Sequence, residues 1–371
     1  MKSFDIIIIG SGLSGLSLTI ELLKKTDKTV LILEKKKKLV RDKNFCFWNS
    51  PKNSFTNQCD TIWKKIKIKE QDRTIIKSHK DFYYCHLSSS TFYNNCLNTI
   101  KKNKNVSILF NQKIKSVISK KNHVIVDSNN KAFSSNLLFD SRPKKFVKYK
   151  LLQHFYGIEV TSKSNIFDEN EVTLMDLKPD KMKTHFFYIL PFTKNKALIE
   201  STYFSNDIYP KKKYKFEIFN YLKKNYPGEV FKLGFEEYGV IPMHKIPESV
   251  SKCSKIINIG TSANWIRMST GYSFQNSFIN SQILVNKIIK KKKIKIEEKK
   301  ITNFLDNIFC IFLSNFPEKT NVTFFNFFLK NKLDTIVRFL TDSYTYKDMF
   351  KIIFSLPKKE LIYCAFKYII K

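Results

Sequence analysis

Glycine, proline and long hydrophobic runs are scarce in this sequence. Its 371 residues include only 9 Gly and 10 Pro, which excludes collagen-like and glycine-rich fibrous proteins. No uninterrupted apolar run reaches the ~18 residues of a membrane-spanning helix, so we predict no transmembrane segment. The N-terminal MKSFDIIIIGSG has one Lys before its apolar run and no cleavage pattern after it. We therefore expect no signal peptide.

Patterns of metal-binding and disulfide-forming residues are also missing. The seven Cys and six His contain no CxxC pair and no HExxH spacing. An odd number of cysteines does not suit a secreted disulfide framework. We expect reduced thiols, no metal site and a cytoplasmic protein.

Acidic residues are few, and so are arginines. The 66 Lys+Arg outnumber 32 Asp+Glu and give a formal net charge of +34, but only five of these basic residues are Arg. Proteins that read nucleic acids rely on the forked Arg guanidinium, so we predict no nucleic-acid partner. We expect most lysines to form a solvated surface. Each basic residue near an anionic leaflet contributes about 1 kcal/mol of attraction, which favours a peripherally membrane-associated protein.

Residues 4–34 have the pattern of a dinucleotide-binding βαβ unit. The apolar run FDIIII leads into the GxGxxG turn of Gly10, Gly12 and Gly15, and an apolar helical stretch follows. These glycines allow, in that order, a tight turn, close approach of a pyrophosphate and close helix–strand packing. The pyrophosphate would lie at the helix N-terminus, where backbone N–H groups are unpaired.

The second strand of this unit, TVLILE, ends at Glu34. An acidic side chain at this position can hydrogen-bond the adenosine ribose hydroxyls. Ser11 and Leu13 complete the turn as further cofactor-binding residues. The segment predicts FAD or NAD binding and does not decide between them.

The whole chain divides into three regions. Residues 1–145 have the pattern of the nucleotide-binding domain, which returns with the buried strand IINIG and is completed by 250–295. Residues 146–249 contain several short β-branched segments and predict an inserted sheet domain. From 296 to 371 the sequence is rich in Phe at helical spacing and predicts a helical region.

Several motifs, spread over nearly the whole chain, resemble the FAD-dependent lycopene cyclases of carotenoid biosynthesis, of the β-cyclase type. They follow one another in the family's order: GSGLSGLSL, DKNFCFW at 42–48, FDSRP at 139–143, TLMDLK at 173–178, FFYILPFTKNKALIESTYFS at 186–205, EEYGVIPM at 236–243, IGTSANWIRMSTGYSF at 259–274 and VRFLTD at 337–342. The resemblance implies an α/β fold, with a Rossmann-like FAD-binding domain, an inserted β-sheet substrate domain and a C-terminal helical region.

The resemblance also implies roles for individual residues. Glu200, in LIEST, matches the family's catalytic acid/base. Other positions match segments expected to lie beside FAD: Gly10, Gly12, Gly15, Glu34, Asp140, Arg142, Gly260, Ser269, Thr270 and Gly271. FAD would act without net redox turnover, and NAD(P)H would serve as its reductant. The expected substrates are lycopene and other apolar polyenes.

The implied reaction is an acid/base isomerisation that forms β-ionone rings and yields β-carotene. Glu200 would have to stay protonated near neutral pH, which burial can achieve. Removal of the final proton can require a second carboxylate, with Asp176, Glu236 and Glu237 as candidates. Neighbouring aromatic rings can stabilise the intermediate cation, and the candidates are Phe186, Phe187, Tyr188, Tyr203 and Phe204.

Other functions fit parts of the same sequence. A flavin-dependent oxidoreductase, either a hydroxylase or a polyprenyl reductase, would use the same FAD turn and consume NAD(P)H in proportion to product. A non-catalytic carotenoid-binding flavoprotein would bind lycopene without converting it. A lone carboxylate on a strand is more often exposed than catalytic, so only the surrounding LIEST match points to Glu200.

Overall fold

The computed structural model describes residues 1–49, 56–129, 131–143, 150–247 and 253–370. The strands in these ranges are β1 (Lys2–Ile9), β2 (Val30–Leu33), β3 (Asn44–Asn49), β4 (Thr61–Trp63), β5 (Lys65–Glu70), β6 (Arg73–Ser78), β7 (Tyr83–Ser88), β8 (Val106–Leu109), β9 (Ile114–Ser119), β10 (Val124–Ser128), β11 (Lys131–Asp140), β12 (Leu152–Ser162), β13 (Glu171–Lys178), β14 (Thr184–Thr193), β15 (Lys196–Ser205), β16 (Phe231–Pro242) and β17 (Ile256–Asn258).

The same ranges contain α-helices of eight to sixteen residues. They are α1 (Leu13–Lys25), α2 (Ser89–Lys101), α3 (Lys211–Asn225), α4 (Phe274–Ile289), α5 (Lys300–Asn315), α6 (Pro317–Lys330), α7 (Leu333–Leu340), α8 (Tyr346–Ser355) and α9 (Lys358–Ile369). No helix among the described residues is long and apolar enough to cross a bilayer.

The first sheet has a Rossmann-like parallel core. Its strand order is β8-β2-β1-β11-β10-β9, and β17 pairs with the last residues of β11, on the edge that β10 uses nearer the start of that strand. The pairs from β8 through β2 and β1 to β11 and β17 are parallel, while β9 and β10 form an antiparallel ribbon. Successive residues of β1 enter opposite faces: Ile6 and Ile8 pack with α1, and Ile7 and Ile9 pack on the other side. This two-sided burial explains the continuous FDIIII run.

The second sheet is mostly antiparallel, in the order β16-β12-β15-β14-β13-β5-β6. Its edge hairpin, β5 and β6, comes from inside the range 1–145 and joins through a parallel β5–β13 pair. That range therefore contributes two strands to the sheet that we predicted from 146–249. The short segments have no periodicity that identifies their partner, because pairing is decided by contacts distant in sequence.

Helices cover the two faces of the second sheet. On one face, α3 packs on β12 and β15. The other face carries the Phe-rich C-terminal helices, where Phe312, Phe325 and Phe328 join one core with Phe186 and Leu198 of the sheet. The predicted α/β class with an added sheet and a helical C-terminal region is confirmed.

Candidate active site

The glycine turn between β1 and α1 has the geometry of a phosphate cradle. Gly10 adopts φ +93°, a left-handed conformation that side chains disfavour. A Cβ on Gly15 would lie 2.0 Å from the Gly10 carbonyl oxygen, so the helix packs directly on the turn. A Cβ on Gly12 would meet nothing within 4 Å. The open space at Gly12, beside the first N–H groups of α1, fits a pyrophosphate.

Glu34 is tied to this turn. Its carboxylate accepts hydrogen bonds from the backbone N and the Oγ of Ser11, at 2.7 and 2.8 Å, and from the backbone N of Lys36 at 2.9 Å. Burial alone would raise the pKa of Glu34, but the donors from Ser11 and Lys36 lower it below its ordinary value. The side chain is therefore an anion held in one position. It can accept further hydrogen bonds, and ribose hydroxyls would donate them.

Three other predicted cofactor residues surround the same turn. Asp140, the last residue of β11, pairs with Ile9 and forms an ion pair with Arg142. Gly260, at φ +68°, approaches the first turn of α1, since a Cβ there would lie 2.8 Å from the Ser14 Oγ. These residues lie at the carboxyl ends of parallel strands, where open α/β sheets bind their ligands.

Glu200 and Glu237 meet across β12, the second strand of the second sheet. They lie on β15 and β16, on either side of β12, and both are in register with Gly157. A Cβ on Gly157 would lie 2.8 Å from the Glu200 Cγ and 3.3 Å from the Glu237 Cγ. The two carboxyl groups thus reach each other only because the strand between them has no side chain at that position.

Both carboxyl groups are buried, with 7% of Glu200 and 5% of Glu237 exposed. Burial is the main cause that raises the pKa of Glu200 well above its ordinary value, and the charge and hydrogen bond of Glu237 raise it further. Burial also raises the pKa of Glu237, but the hydrogen bonds from Glu200 and Asn44 oppose this rise. The pair therefore holds a proton more tightly than an ordinary carboxyl group does, with Glu200 as the donor and Glu237 as the acceptor.

Asn44 orients the Glu237 carboxylate, a role that the sequence did not indicate. Its backbone N and Nδ2 donate to the two Glu237 oxygens at 3.0 and 2.8 Å. Its Oδ1 accepts from Arg41 at 3.0 Å and contacts the His86 Nε2 at 2.7 Å. Burial lowers the pKa of His86 to about 4, so His86 is neutral and donates to Asn44. Only the DKNFCFW motif could have drawn attention to this residue.

A largely apolar cavity of about 620 Å³ begins at Glu200 and passes beneath the C-terminal helices. Its volume lies within the range of small-molecule sites. Ser269, Thr270 and Gly271 line the cavity, and a Cβ on Gly271 would lie 2.7 Å from the Gln153 Oε1. Since Gly260 touches α1, the segment 260–271 runs from the glycine turn to the cavity. The structure thus brings the predicted loop to the same space as the predicted acid.

A polar anchor holds this loop against α5. Arg267, itself buried, forms ion pairs with Asp306 and Asp342 at 3.1 and 3.2 Å. The Ser269 Oγ also donates to Asp306, at 2.8 Å. The loop beside Glu200 is therefore fixed by buried, charge-assisted contacts.

Aromatic side chains form the cavity wall around Glu200. Tyr188 is its cross-strand neighbour on β14, and the Tyr188 hydroxyl donates to the Tyr84 hydroxyl at 3.0 Å. Phe186, Phe204 and Tyr272 also line the cavity. Their ring faces give the cavity an electron-rich surface.

Two of the five aromatic candidates were wrong. Phe187 and Tyr203 pack under α3, on the opposite face of the sheet. Side chains alternate between the faces of a strand, so Phe186 and Tyr188 share a face that Phe187 cannot reach.

The same alternation separates the carboxylate candidates. Asp176 accepts a hydrogen bond from Tyr221 of α3 at 2.7 Å, and Glu236 is paired with Lys215 of that helix. Of the three, only Glu237 joins Glu200.

A family model described as "Lycopene cyclase protein" matches residues 5–363, which confirms the predicted resemblance. No curated protein sequence matches the chain. Solved structures share its fold at low identity. A geranylgeranyl bacteriochlorophyll reductase-like protein from Thermoplasma acidophilum has 13% identity and a TM-score of 0.72, covering 97% of this chain and 98% of its own.

Two further structures with the same fold are a monooxygenase and a hydroxylase by their names. The p-nitrophenol 4-monooxygenase from Pseudomonas putida has 10% identity and a TM-score of 0.60, over 99% of this chain and 98% of its own. Aklavinone-11 hydroxylase, solved with FAD and aklavinone, has 12% identity and a TM-score of 0.58, covering 78% of this chain and 62% of its own.

Proposed function

Because this chain belongs to the lycopene cyclase protein family, we propose that it closes the linear ends of lycopene, or of a similar apolar polyene, into β-rings. The observation that carries the proposal is the buried Glu200–Glu237 pair, whose Glu200 lines a largely apolar cavity. An apolar polyene has no polar group of its own to leave unpaired in such a cavity, and the pair places a carboxyl group beside it.

Glu200 acts as the acid. It transfers its proton to the terminal double bond, the resulting cation is attacked by the neighbouring double bond, and one carbon–carbon bond forms. Loss of a proton from the ring carbon then gives the β-ring. Atoms and electrons balance without a redox step.

Glu237 and Asn44 support this proton transfer. The Glu237 carboxylate, held by two donors from Asn44, lies against Glu200, and it is Glu200 and Asn44 that line the cavity. Negative charge fixed in advance stabilises the cation more than the neutral polyene. Once Glu200 has given up its proton, either carboxylate can take the proton lost at ring closure.

The aromatic wall stabilises the same cation. The faces of Tyr188, Tyr84 and Phe204 contribute about 0.5–2 kcal/mol each when water is excluded. A cavity lined by these rings and by Phe186 also keeps water from trapping the cation as an alcohol.

The glycine turn and Glu34 fit FAD, with the pyrophosphate in the space at Gly12 and the ribose at Glu34. When bound in its reduced form, FAD supplies negative charge beside the cation. Ser269, Thr270 and Gly271 would position its ring, since their segment joins the turn to the cavity. NAD(P)H is the proposed reductant and would not be consumed in proportion to product.

The test uses purified chain with FAD, reductant and detergent-dispersed lycopene, followed by pigment chromatography. We expect β-ring products, and we expect Glu200→Gln to abolish them while FAD binding is kept. NAD(P)H consumption in proportion to product would instead indicate a flavin oxidoreductase. Tight binding of unconverted lycopene would indicate a carotenoid-binding protein.

A further inference from the structure

Helices α8 and α9 each carry an apolar stripe that points to solvent. Phe350 and Phe354 are one helical turn apart on α8, and Ile362, Phe366 and Ile369 follow one line of α9. All five are exposed, including 52% of Phe350 and 62% of Phe366. We refer to these five residues as the mouth face. Helical residues spaced by three or four form a single stripe, so each helix presents one apolar stripe.

The mouth face surrounds the outer end of the Glu200 cavity. Phe354 and Ile362 belong both to the exposed face and to the cavity lining. Phe304, on α5, also lines the cavity, and its ring lies 5.7 Å from that of Tyr368 on α9. The mainly apolar lining therefore continues to the protein surface, where Lys358 is part of it.

The charges around the mouth face have one sign. Lys347, Lys351, Lys358 and Lys359 are exposed on the same two helices. The two acidic residues of these helices are already paired, Asp348 with Arg338 and Glu360 with Lys319. Apolar side chains rimmed by unpaired lysines match the acyl and anionic headgroup layers of a membrane surface.

We propose that the mouth face docks on an anionic bilayer, so that the cavity opens directly into the hydrocarbon region and the polyene passes from membrane to Glu200 without entering water. The docked orientation gives the proposed cyclase its route to a substrate that is insoluble in water. The inference rests on the proposed function for its substrate, but the docking itself is independent of catalysis.

Helix α3 supplies a matched control surface. Phe216 and Phe219 lie on it, with 66% and 43% of their surface exposed. Five lysines lie in its first and last turns: Lys211, Lys212, Lys213, Lys223 and Lys224. This helix covers the sheet face opposite the cavity. Exposed Phe and Lys alone would make α3 an equal docking site, whereas the mouth face alone has the cavity opening.

Flotation with vesicles of phosphatidylcholine and phosphatidylglycerol, without lycopene, measures docking. Replacing Phe350 and Phe366, which do not line the cavity, by Ser should lower vesicle partitioning about tenfold or more because their apolar area is lost. The double variant Phe216→Ser, Phe219→Ser should bind like the wild type. Equal binding by all three proteins, or loss only in the α3 variant, would overturn the proposal.

A second probe does not depend on a loss of binding. Phe366→Trp should be quenched by vesicles with brominated acyl chains, and Phe216→Trp should not. Reversed quenching would place the bilayer on α3 and contradict the proposal. Sedimentation without vesicles tests a second copy as the occupant: a dimer that dissociates in the Phe350→Ser, Phe366→Ser variant would assign the face to self-association and overturn membrane docking.

Activity separates the two proposals. The variant carrying Phe350→Ser and Phe366→Ser should cyclise detergent-dispersed lycopene like the wild type and vesicle-embedded lycopene at least about tenfold more slowly. Vesicle binding without any ring formation would refute the cyclase function and leave docking intact. Ring formation at equal rates from vesicles by both proteins would refute docking and leave the function intact.

Discussion

At the scale of single residues, the site depends on a missing side chain. Glu200 and Glu237 come from strands that are not neighbours, and they meet over Gly157. Glycine inside a strand marks a close approach of other groups, and FYGIEV was visible in the sequence. Its partners could not be predicted, because the register of β12 against β15 and β16 is set by long-range pairing.

Gly157→Ala should separate the pair. The new Cβ would lie 2.8 Å from the Glu200 Cγ, so at least one carboxyl group must move. We expect the rate of ring formation to fall by about 10²-fold, the usual effect of displacing a catalytic group by about 1 Å. Gly234→Ala is the control, since its Cβ would meet its nearest atom, the Glu159 Cβ, at 3.4 Å. Similar rates in both variants would contradict the role of Gly157.

The pH dependence follows from the same pair. Glu200 must be protonated to act, so activity should fall as the pH rises through its raised pKa. The Glu237 charge contributes to that rise. Glu237→Gln should therefore lower the pKa of Glu200 and shift the alkaline limb of the pH–rate profile to lower pH. Glu236→Gln, on the other face, should leave the limb in place. A shift to higher pH in Glu237→Gln would contradict this assignment.

At the scale of elements, the βαβ unit was predictable and the second sheet was only partly so. The continuous apolar run of β1 and the GxGxxG turn identify the unit from sequence alone. The strands β5 and β6 do not reveal that they complete a sheet formed mostly by later residues. The wrong assignment of Phe187 and Tyr203 could have been avoided. Strand alternation already separates Phe187 from Phe186 and Tyr188, and it separates Tyr203 from Glu200 and Phe204.

The glycine turn gives two variants with opposite expectations. Gly12→Ala places a Cβ in open space, so the fold should persist while FAD affinity falls, because the methyl group occupies the pyrophosphate position. Gly15→Ala places a Cβ 2.0 Å from the Gly10 carbonyl oxygen and should lower the unfolding midpoint. FAD titration and thermal unfolding of the FAD-free chain measure the two effects. Unchanged FAD affinity in Gly12→Ala would contradict the cradle.

At the scale of the whole molecule, the proposed docking combines the net charge of +34 with the mouth face. Charge gives long-range attraction to an anionic surface, while the apolar face gives contact that salt does not screen. Raising ionic strength from about 0.1 to about 1 M shortens the Debye length from about 10 to about 3 Å. Vesicle binding should therefore weaken but persist. Complete release at high salt would indicate that lysines alone hold the protein on the membrane.

The central claim is that a carboxyl proton on Glu200 starts ring closure. Its most direct test is a single turnover of lycopene by protein equilibrated in D2O, with mass spectrometry of the product. Protonation of the terminal double bond fixes one solvent-derived hydrogen in each ring, so one deuterium per ring is expected, and Glu200→Gln should give no product. A ring product without deuterium, or full activity in Glu200→Gln, would contradict the claim.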